Sequence, residues 1–282
     1  MTGLLGAVLG AVVAMAAGTV AVIVGQVRSV QRIIPVATQP PPRAEGLIGP
    51  RLPGPPLTMT VLGDSFAAGY GATRPRETLG VLLGTALARR ARRPVRLHRP
   101  AFVGAMSSDL PHQVHAALHH APDVAIIFVG GNDVTRFAPL RAAARHLGDA
   151  VGRLRAAGCL VIVGTCPDLK VLPPLRPPLR WLAALRSRRL AAAQTAAVEA
   201  AGGYPIPLAE LLNPFFEADP VRMFGADSFH PSPEGYARAA AVSLPPLLAA
   251  LRAEGVIPRP GTGLDQSSGS DGLGSRTRNS PA

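Results

Sequence analysis

The chain has 282 residues, 48% of them hydrophobic and only 4% aromatic, and its formal net charge is +12. A basic surface is compatible with acidic lipid or an anionic envelope polymer, but one tryptophan and three tyrosines are too few for a base-stacking groove. Nucleic acid is therefore not an expected partner. All but one of the 29 basic residues are arginine, the exception being Lys170, and GC-rich coding, which tends to produce such a skew, is the preferred explanation of the basic surface.

The N-terminal segment 4–24 is uncharged and mostly apolar, and as a helix it is long enough to cross a bilayer. It has no basic n-region and exceeds an ordinary signal-peptide core. We therefore expect a transmembrane anchor, with a signal segment as the alternative. Arg28 and Arg32 follow the segment, which favours a cytoplasmic domain, but so few charges leave the membrane side open. The expected location is the membrane of a bacterial cell envelope, single-pass or signal-anchored.

Composition divides the chain into four parts. The anchor or signal segment, 1–25, is followed by a linker, 26–56, whose eight prolines indicate an extended tether. Residues 57–254 form one globular domain, and the Gly-, Ser- and Pro-rich tail 255–282 is expected to be disordered.

Short apolar runs alternate with amphipathic stretches within the domain, which predicts a three-layer α/β/α fold with a parallel sheet of about five strands. The predicted strands are 58–62, 95–98, 123–129, 160–164 and 204–207, and the predicted helices are 76–92, 138–157, 180–201 and 233–252.

Three of the predicted strand ends carry groups suited to acyl transfer. The first strand runs into Gly63-Asp64-Ser65, the third into Gly130-Gly131-Asn132-Asp133, and a glycine loop around Gly104 follows the second. Ligands of open parallel sheets bind beyond the carboxyl ends of the strands. A hydroxyl, a flexible glycine amide and a side-chain amide are therefore expected to meet there, as a nucleophile with oxyanion donors.

A base and a group that orients it are offered near the end of the domain. Asp227 and His230 are three residues apart, and Pro231 and Pro233 keep their segment out of a helix. One imidazole nitrogen is thus free to bond the carboxylate while the other faces Ser65.

These four blocks, in this order, resemble the SGNH, or GDSL, hydrolase family over roughly residues 57–252. The resemblance implies the flavodoxin-like SGNH-hydrolase fold and a carboxylic ester hydrolase of the esterase or lipase type. It also implies that no metal and no organic cofactor is needed.

The resemblance assigns roles by position. Ser65 corresponds to the nucleophile, His230 to the general base and then acid, and Asp227 to the residue that orients the imidazole. The Ser65 amide, the Gly104 amide and the Asn132 side chain correspond to the oxyanion hole.

The chain departs from the family pattern at Phe66, where leucine is common, and near Ala101, where an asparagine is common. An α/β-hydrolase is less well supported, because its Gly-x-Ser-x-Gly elbow needs glycine where Ala67 stands.

Two further patterns have plain structural interpretations. His112, His115 and His119 recur at helical spacing, but they are interpreted as the solvent side of an amphipathic helix rather than a metal site. The Pro- and Arg-rich stretch 172–190 is interpreted as a core helix with a basic outer face; a flap over the site or a lipid-binding surface is the alternative.

The sequence therefore predicts a membrane-tethered serine esterase that hydrolyses lipid or acylated-carbohydrate esters through an acyl-enzyme on Ser65. Two alternatives stay open. An acyltransferase would use the same residues with an acceptor alcohol in place of water, and a membrane-tethered binding protein would keep the scaffold without catalysis.

Overall fold

The computed structural model describes residues 2–33 and 40–257, with no side-chain detail for 2–6, 31 and 33. Nearly all of the predicted tail and residues 34–39 of the predicted linker thus lie outside the described residues. The strands are β1 (Gly46–Ile48), β2 (Leu57–Gly63), β3 (Val95–His98), β4 (Val124–Phe128), β5 (Leu160–Gly164) and β6 (Tyr204–Ile206). The helices are α1 (Thr2–Ile33), α2 (Ser65–Ala68), α3 (Leu79–Ala91), α4 (Leu110–Leu118), α5 (Gly131–Thr135), α6 (Leu140–Ala156), α7 (Leu179–Ala200), α8 (Leu208–Leu211), α9 (Asn213–Ala218), α10 (Pro220–Met223) and α11 (Pro233–Ala253).

The strands form one sheet in the order β1-β3-β2-β4-β5-β6. All neighbouring strands are parallel except β1, which runs antiparallel to β3. The sequence prediction of a parallel α/β/α fold is confirmed, and its five strands are β2 to β6. Since β2 and β4 are adjacent in the centre, the loops that follow them lie side by side at one sheet edge.

The sixth strand lies in the predicted tether. Residues 46–48 pair with Leu97, Arg96 and Val95, and the Glu45 carboxylate accepts a hydrogen bond from the Arg99 amide at 2.7 Å. The expectation of an extended tether is therefore wrong for this stretch. A three-residue strand is too short to show a hydrophobic period, and it forms here because it pairs with the otherwise open edge of β3.

Alternate residues of the central strands supply the two layers of core. Ile126 packs with the apolar faces of α3 and α11, whereas Ile127 packs with those of α4 and α6. All five residues of β4 and all five of β5 are buried, as expected for parallel strands covered on both faces.

Helix α1 extends beyond the predicted span. Within it, residues 7–30 are long and apolar enough to cross a membrane, a test that a signal sequence near the N-terminus also passes. Its C-terminal part contacts the domain, where Ile23, Val27 and Val30 pack on the core. The predicted boundary at residue 25 therefore falls inside a continuous helix.

Candidate active site

The first strand leads directly to the serine. Gly63 ends β2 with φ +131°, and a Cβ built there would lie 1.8 Å from the Phe128 carbonyl oxygen of β4. Only glycine therefore allows β2 and β4 to approach so closely. Asp64 follows and caps α2, accepting a hydrogen bond from the Phe66 amide at 2.9 Å. Ser65 is the first residue of α2 and is buried.

His230 and Asp227, near the C-terminal end of the domain, lie next to Ser65 in the fold. The His230 Nε2 atom lies 2.9 Å from Ser65 Oγ, and His230 Nδ1 lies 2.6 Å from Asp227 Oδ2. The other Asp227 oxygen accepts hydrogen bonds from the Phe229 and His230 amides at 3.0 and 2.9 Å. Both carboxylate oxygens are thus occupied, and the imidazole is held between Asp227 and Ser65.

The loop that carries Asp227 and His230 is tied back at its base. The Gly225 amide donates to the His230 carbonyl at 2.8 Å, and Phe224 and Pro231 form an isolated antiparallel bridge. Ser228 takes up the turn in the left-handed region, with φ +52°. These contacts fix the conformation of the loop and hold Asp227 and His230 in one arrangement.

Gly104 and Asn132 reach the same place from the other two loops. Both line, with Ser65 and His230, one cavity of about 730 Å³. Gly104 has φ +83°, and the Asn132 side chain donates to the Ala105 carbonyl at 2.9 Å. This bond links the glycine loop to the end of β4 and leaves the second N–H of the Asn132 amide available to a ligand.

The buried carboxylates have displaced pKa values. Burial raises the pKa of Asp64 to about 7, with a smaller contribution from the charge of Asp133. Burial also raises the pKa of Asp133. For Asp227 burial acts in the same direction, but hydrogen bonds from the His230 ring and from the two amides outweigh it and lower its pKa. Asp227 is therefore the carboxylate suited to stay ionised beside an imidazolium.

Two polar residues at the site were missed from the sequence. The Gln113 side chain accepts from the Gly63 amide at 2.7 Å and donates to its carbonyl at 2.9 Å. Ser107 donates through its amide and its hydroxyl to Asp133, the latter at 3.0 Å. A signal for Gln113 was present, because it shares the buried face of α4 with Leu110 and Val114.

The departures from the family pattern have local explanations. Phe66 packs against the Phe128 and Tyr236 rings, with centroids 5.3 and 5.5 Å away. Near Ala101, which is buried, the bonds of Ser107 to Asp133 and of Asn132 to Ala105 connect the glycine loop to the end of β4.

His112, His115 and His119, in α4 and at its C-terminal end, are exposed and do not line this cavity. The His115 and His119 Nε2 atoms are 3.3 Å apart on an exposed face. Within residues 2–33 and 40–257, no group of three or more His, Cys, Asp or Glu side chains is placed to hold a metal ion.

Comparison with known proteins places the chain in a family. The sequence model of the GDSL-like Lipase/Acylhydrolase family matches residues 61–238. The chain belongs to this family. It is also 42% identical over 258 residues to the GDSL-like esterase Rv1075c of Mycobacterium tuberculosis, covering 85% of this chain and 82% of that protein. The resemblance noted from the sequence is confirmed, and the chain is a carboxylic ester hydrolase of the GDSL type.

Solved structures of a lipase/acylhydrolase and of an esterase share the fold. The lipase/acylhydrolase of Enterococcus faecalis is 22% identical, with a TM-score of 0.54 over 72% of this chain and 97% of its own. The esterase EstA of Pseudoalteromonas sp. is 18% identical, with a TM-score of 0.51 over 70% of this chain and 97% of its own.

Proposed function

We propose that the chain is a membrane-tethered esterase that forms an acyl-enzyme on Ser65, with His230 as general base and acid and Asp227 as the group that orients the imidazole. One observation carries this proposal. Ser65 Oγ, His230 and Asp227 lie in a line of two short hydrogen bonds, 2.9 and 2.6 Å long, which is the arrangement that activates a serine hydroxyl.

The reaction follows from this order of contacts. His230 Nε2 removes the Ser65 proton as Oγ bonds to the ester carbonyl carbon, and the resulting imidazolium is stabilised by Asp227. The imidazolium then gives that proton to the departing alkoxide, so that the alcohol leaves and the acyl group stays on Ser65. Deacylation follows the same steps with water as the nucleophile. Water loses a proton to His230 as its oxygen bonds to the acyl carbon, and Ser65 regains a proton from His230 as the acid is released.

The oxyanion of each tetrahedral intermediate needs donors on the side of the carbonyl away from His230. We assign the Ser65 amide, the Gly104 amide and the Asn132 side chain to this role. Ser65 stands at the start of α2, so its amide has no helical acceptor. Gly104 and Asn132 share the cavity lining with Ser65, and their loops are joined by the bond from Asn132 to Ala105.

The proposal includes retention of α1 as a membrane anchor at the cell envelope, with residues 57–254, completed by the edge strand β1, as the catalytic domain. The apolar stretch 7–30 supports an anchor by length and composition. The substrates proposed are esters of lipids or of acylated glycans.

Labelling with a small fluorophosphonate tests the proposed nucleophile. The full chain in detergent is compared with Ser65→Ala and His230→Ala, and the matched control is Ser243→Ala, since this buried serine has no hydrogen-bond partner among the described residues. We expect wild type and Ser243→Ala to label, Ser65→Ala to remain unlabelled, and His230→Ala to label at least a hundredfold more slowly. A Ser65→Ala variant that labels like wild type would remove Ser65 from its role.

A further inference from the structure

The cavity at Ser65 is lined on one side by the N-terminal helix. Val27 and Val30 of α1 are part of its lining, on the same surface as Ser65 and His230. Both valines are half-buried, whereas Val24 on the same helix is 43% exposed. The face of α1 that meets the cavity is therefore defined by the spacing of 27 and 30, one turn apart.

Much of the remaining cavity wall is apolar and comes from the segment that leads into α7 and from the first turn of α7, whereas Thr135, Arg136 and Arg186 are its polar part. Leu172, Leu175, Leu179 and Leu182 line the cavity, all of them within the Pro- and Arg-rich stretch 172–190. At about 730 Å³ the cavity is within the range of small-molecule sites in proteins, and it exceeds what a short acyl group needs.

A side-chain amide attaches α1 to this wall. Gln26 donates to the Pro177 carbonyl at 2.7 Å and accepts from the Leu179 amide at 3.1 Å. The second bond satisfies an amide of the first turn of α7 that has no partner within the helix. Because Gln26 binds both groups, Val27 and Val30 are held against the leucines rather than left on a loose tether.

The position of this contact along α1 relates the cavity to the bilayer. Arg28 is the first charged residue within the apolar stretch 7–30, so we take the uncharged segment 4–24, which is long enough to span the hydrocarbon layer, as the part inside it. Val27 and Val30 follow its end by three and six residues, or roughly 5 and 9 Å at 1.5 Å per residue. The cavity wall thus begins within about 10 Å of the point where α1 leaves the hydrocarbon.

We propose that the anchor helix is also part of the substrate site: Val27 and Val30 bind a long apolar chain of a membrane-resident ester whose carbonyl lies at Ser65. This inference rests on the proposed function and narrows its substrate class to lipid-like esters. The apolar chain of the ester leaves the bilayer beside α1, passes Val27 and Val30, and lies along the leucines of the stretch 172–182. It belongs either to the acyl or to the alcohol part of the ester.

Val27→Phe and Val30→Phe test whether these residues bind the apolar chain of the ester. Each variant is made in the full chain and reconstituted in phosphatidylcholine vesicles. The acyl arm compares kcat/KM for 4-nitrophenyl dodecanoate and 4-nitrophenyl acetate, and the alcohol arm compares dodecyl acetate and ethyl acetate. We expect the long-to-short ratio of at least one arm to fall tenfold or more in each variant, roughly what the loss of two buried methylene contacts produces. The arm that responds identifies the part of the ester that carries the chain.

Val24→Phe is the matched control, because Val24 lies on the same helix, is 43% exposed and is not among the residues that line the cavity. Both ratios should stay within twofold of wild type in this variant. The proposal is overturned if both ratios change less than fivefold in Val27→Phe and Val30→Phe, if Val24→Phe produces the same fall, or if wild type hydrolyses neither dodecyl substrate.

Labelling with the small fluorophosphonate accompanies every variant and separates the two proposals. Normal labelling with unchanged long-to-short kcat/KM ratios counts only against the proposed role of Val27 and Val30, not against Ser65 as the nucleophile. Absence of labelling in wild type counts against the nucleophile. A variant that labels at the wild-type rate has kept its fold, so its ratio reports on the cavity.

Discussion

At the scale of single residues, the site depends on side chains whose partners come from distant parts of the sequence. Ser65 and His230 are 165 positions apart and lie 2.9 Å apart in the fold. Asn132 bridges to Ala105 across 27 positions. The roles proposed for these residues therefore require the loops to be held together by bonds that are separate from the reaction itself.

Asn132→Ala tests the proposed oxyanion donor. Since the lost donor acts on charge that develops in the transition state, kcat should fall about 10²- to 10³-fold while KM changes little. Steady-state kinetics with a short ester measures both constants, and thermal unfolding checks the fold. A kcat within threefold of wild type, at an unchanged Tm, would remove Asn132 from the oxyanion hole.

Asp64 makes the stability of the domain depend on pH. Its pKa is raised from 3.8 to about 7 by burial, so the folded state binds more protons than the unfolded state between these values, and stability falls as pH rises through them. Asn at this position keeps the cap on the Phe66 amide without the charge. Relative to Asp64→Asn, wild type should lose about 3 kcal/mol of unfolding free energy between pH 4 and pH 7. Denaturant unfolding of both proteins at pH 4 and pH 7 measures this difference. An unfolding free energy that changes equally with pH in wild type and in Asp64→Asn would refute the prediction.

At the scale of elements, the strands that carry the site could be recognised from their sequence and the strand at the sheet edge could not. The apolar runs that become β2, β4 and β5 are buried on both faces, and this pattern is visible in the residues alone. β1 is three residues long in a Pro-rich stretch and exists because β3 offers it an edge.

Gly63 and Gly152 give a matched pair of glycine substitutions. Gly63→Ala forces a Cβ to within 1.8 Å of the Phe128 oxygen, so β2 and β4 must separate; we expect a loss of at least about 3 kcal/mol or no folded protein. Gly152 lies inside α6 with no atom within 4 Å of the position of a Cβ. Gly152→Ala should therefore gain about 1 kcal/mol. Chemical denaturation measures both, and a Gly63→Ala variant within 1 kcal/mol of wild type would contradict the proposed close approach.

At the scale of the whole molecule, the helix that reaches the cavity is also the segment that fits a membrane. A cleaved signal peptide would remove one wall of the site, whereas a transmembrane anchor leaves it complete. The Gln26 bonds to Pro177 and Leu179 join the proposed anchor to the rest of the fold.

Retention of the anchor predicts an intact chain of about 29.1 kDa that stays in the membrane pellet after alkaline carbonate extraction. Arginine at Val13 and Val20, both exposed on α1, should release the chain, because each charge costs roughly 2.5–3.5 kcal/mol at the centre of a membrane helix. Mass spectrometry gives the mass of the wild-type chain, and carbonate extraction of wild type and of the double arginine variant measures how much of each is released from the membrane. A shortened, soluble wild-type chain would overturn the anchor and with it the helical wall of the cavity.

The sequence by itself determined the α/β class, the five parallel strands and the family, because each follows from local patterns: apolar runs, helical periods, and glycine, serine and asparagine at strand ends. Tertiary structure decided the role of Gln113, the sixth strand and the contact of α1 with the cavity. These features depend on which segments meet in space, and pairing between residues such as Gln26 and Leu179, 153 positions apart, leaves no period in the sequence. A polar residue on a buried face signals that a partner exists, but only the packed fold identifies it.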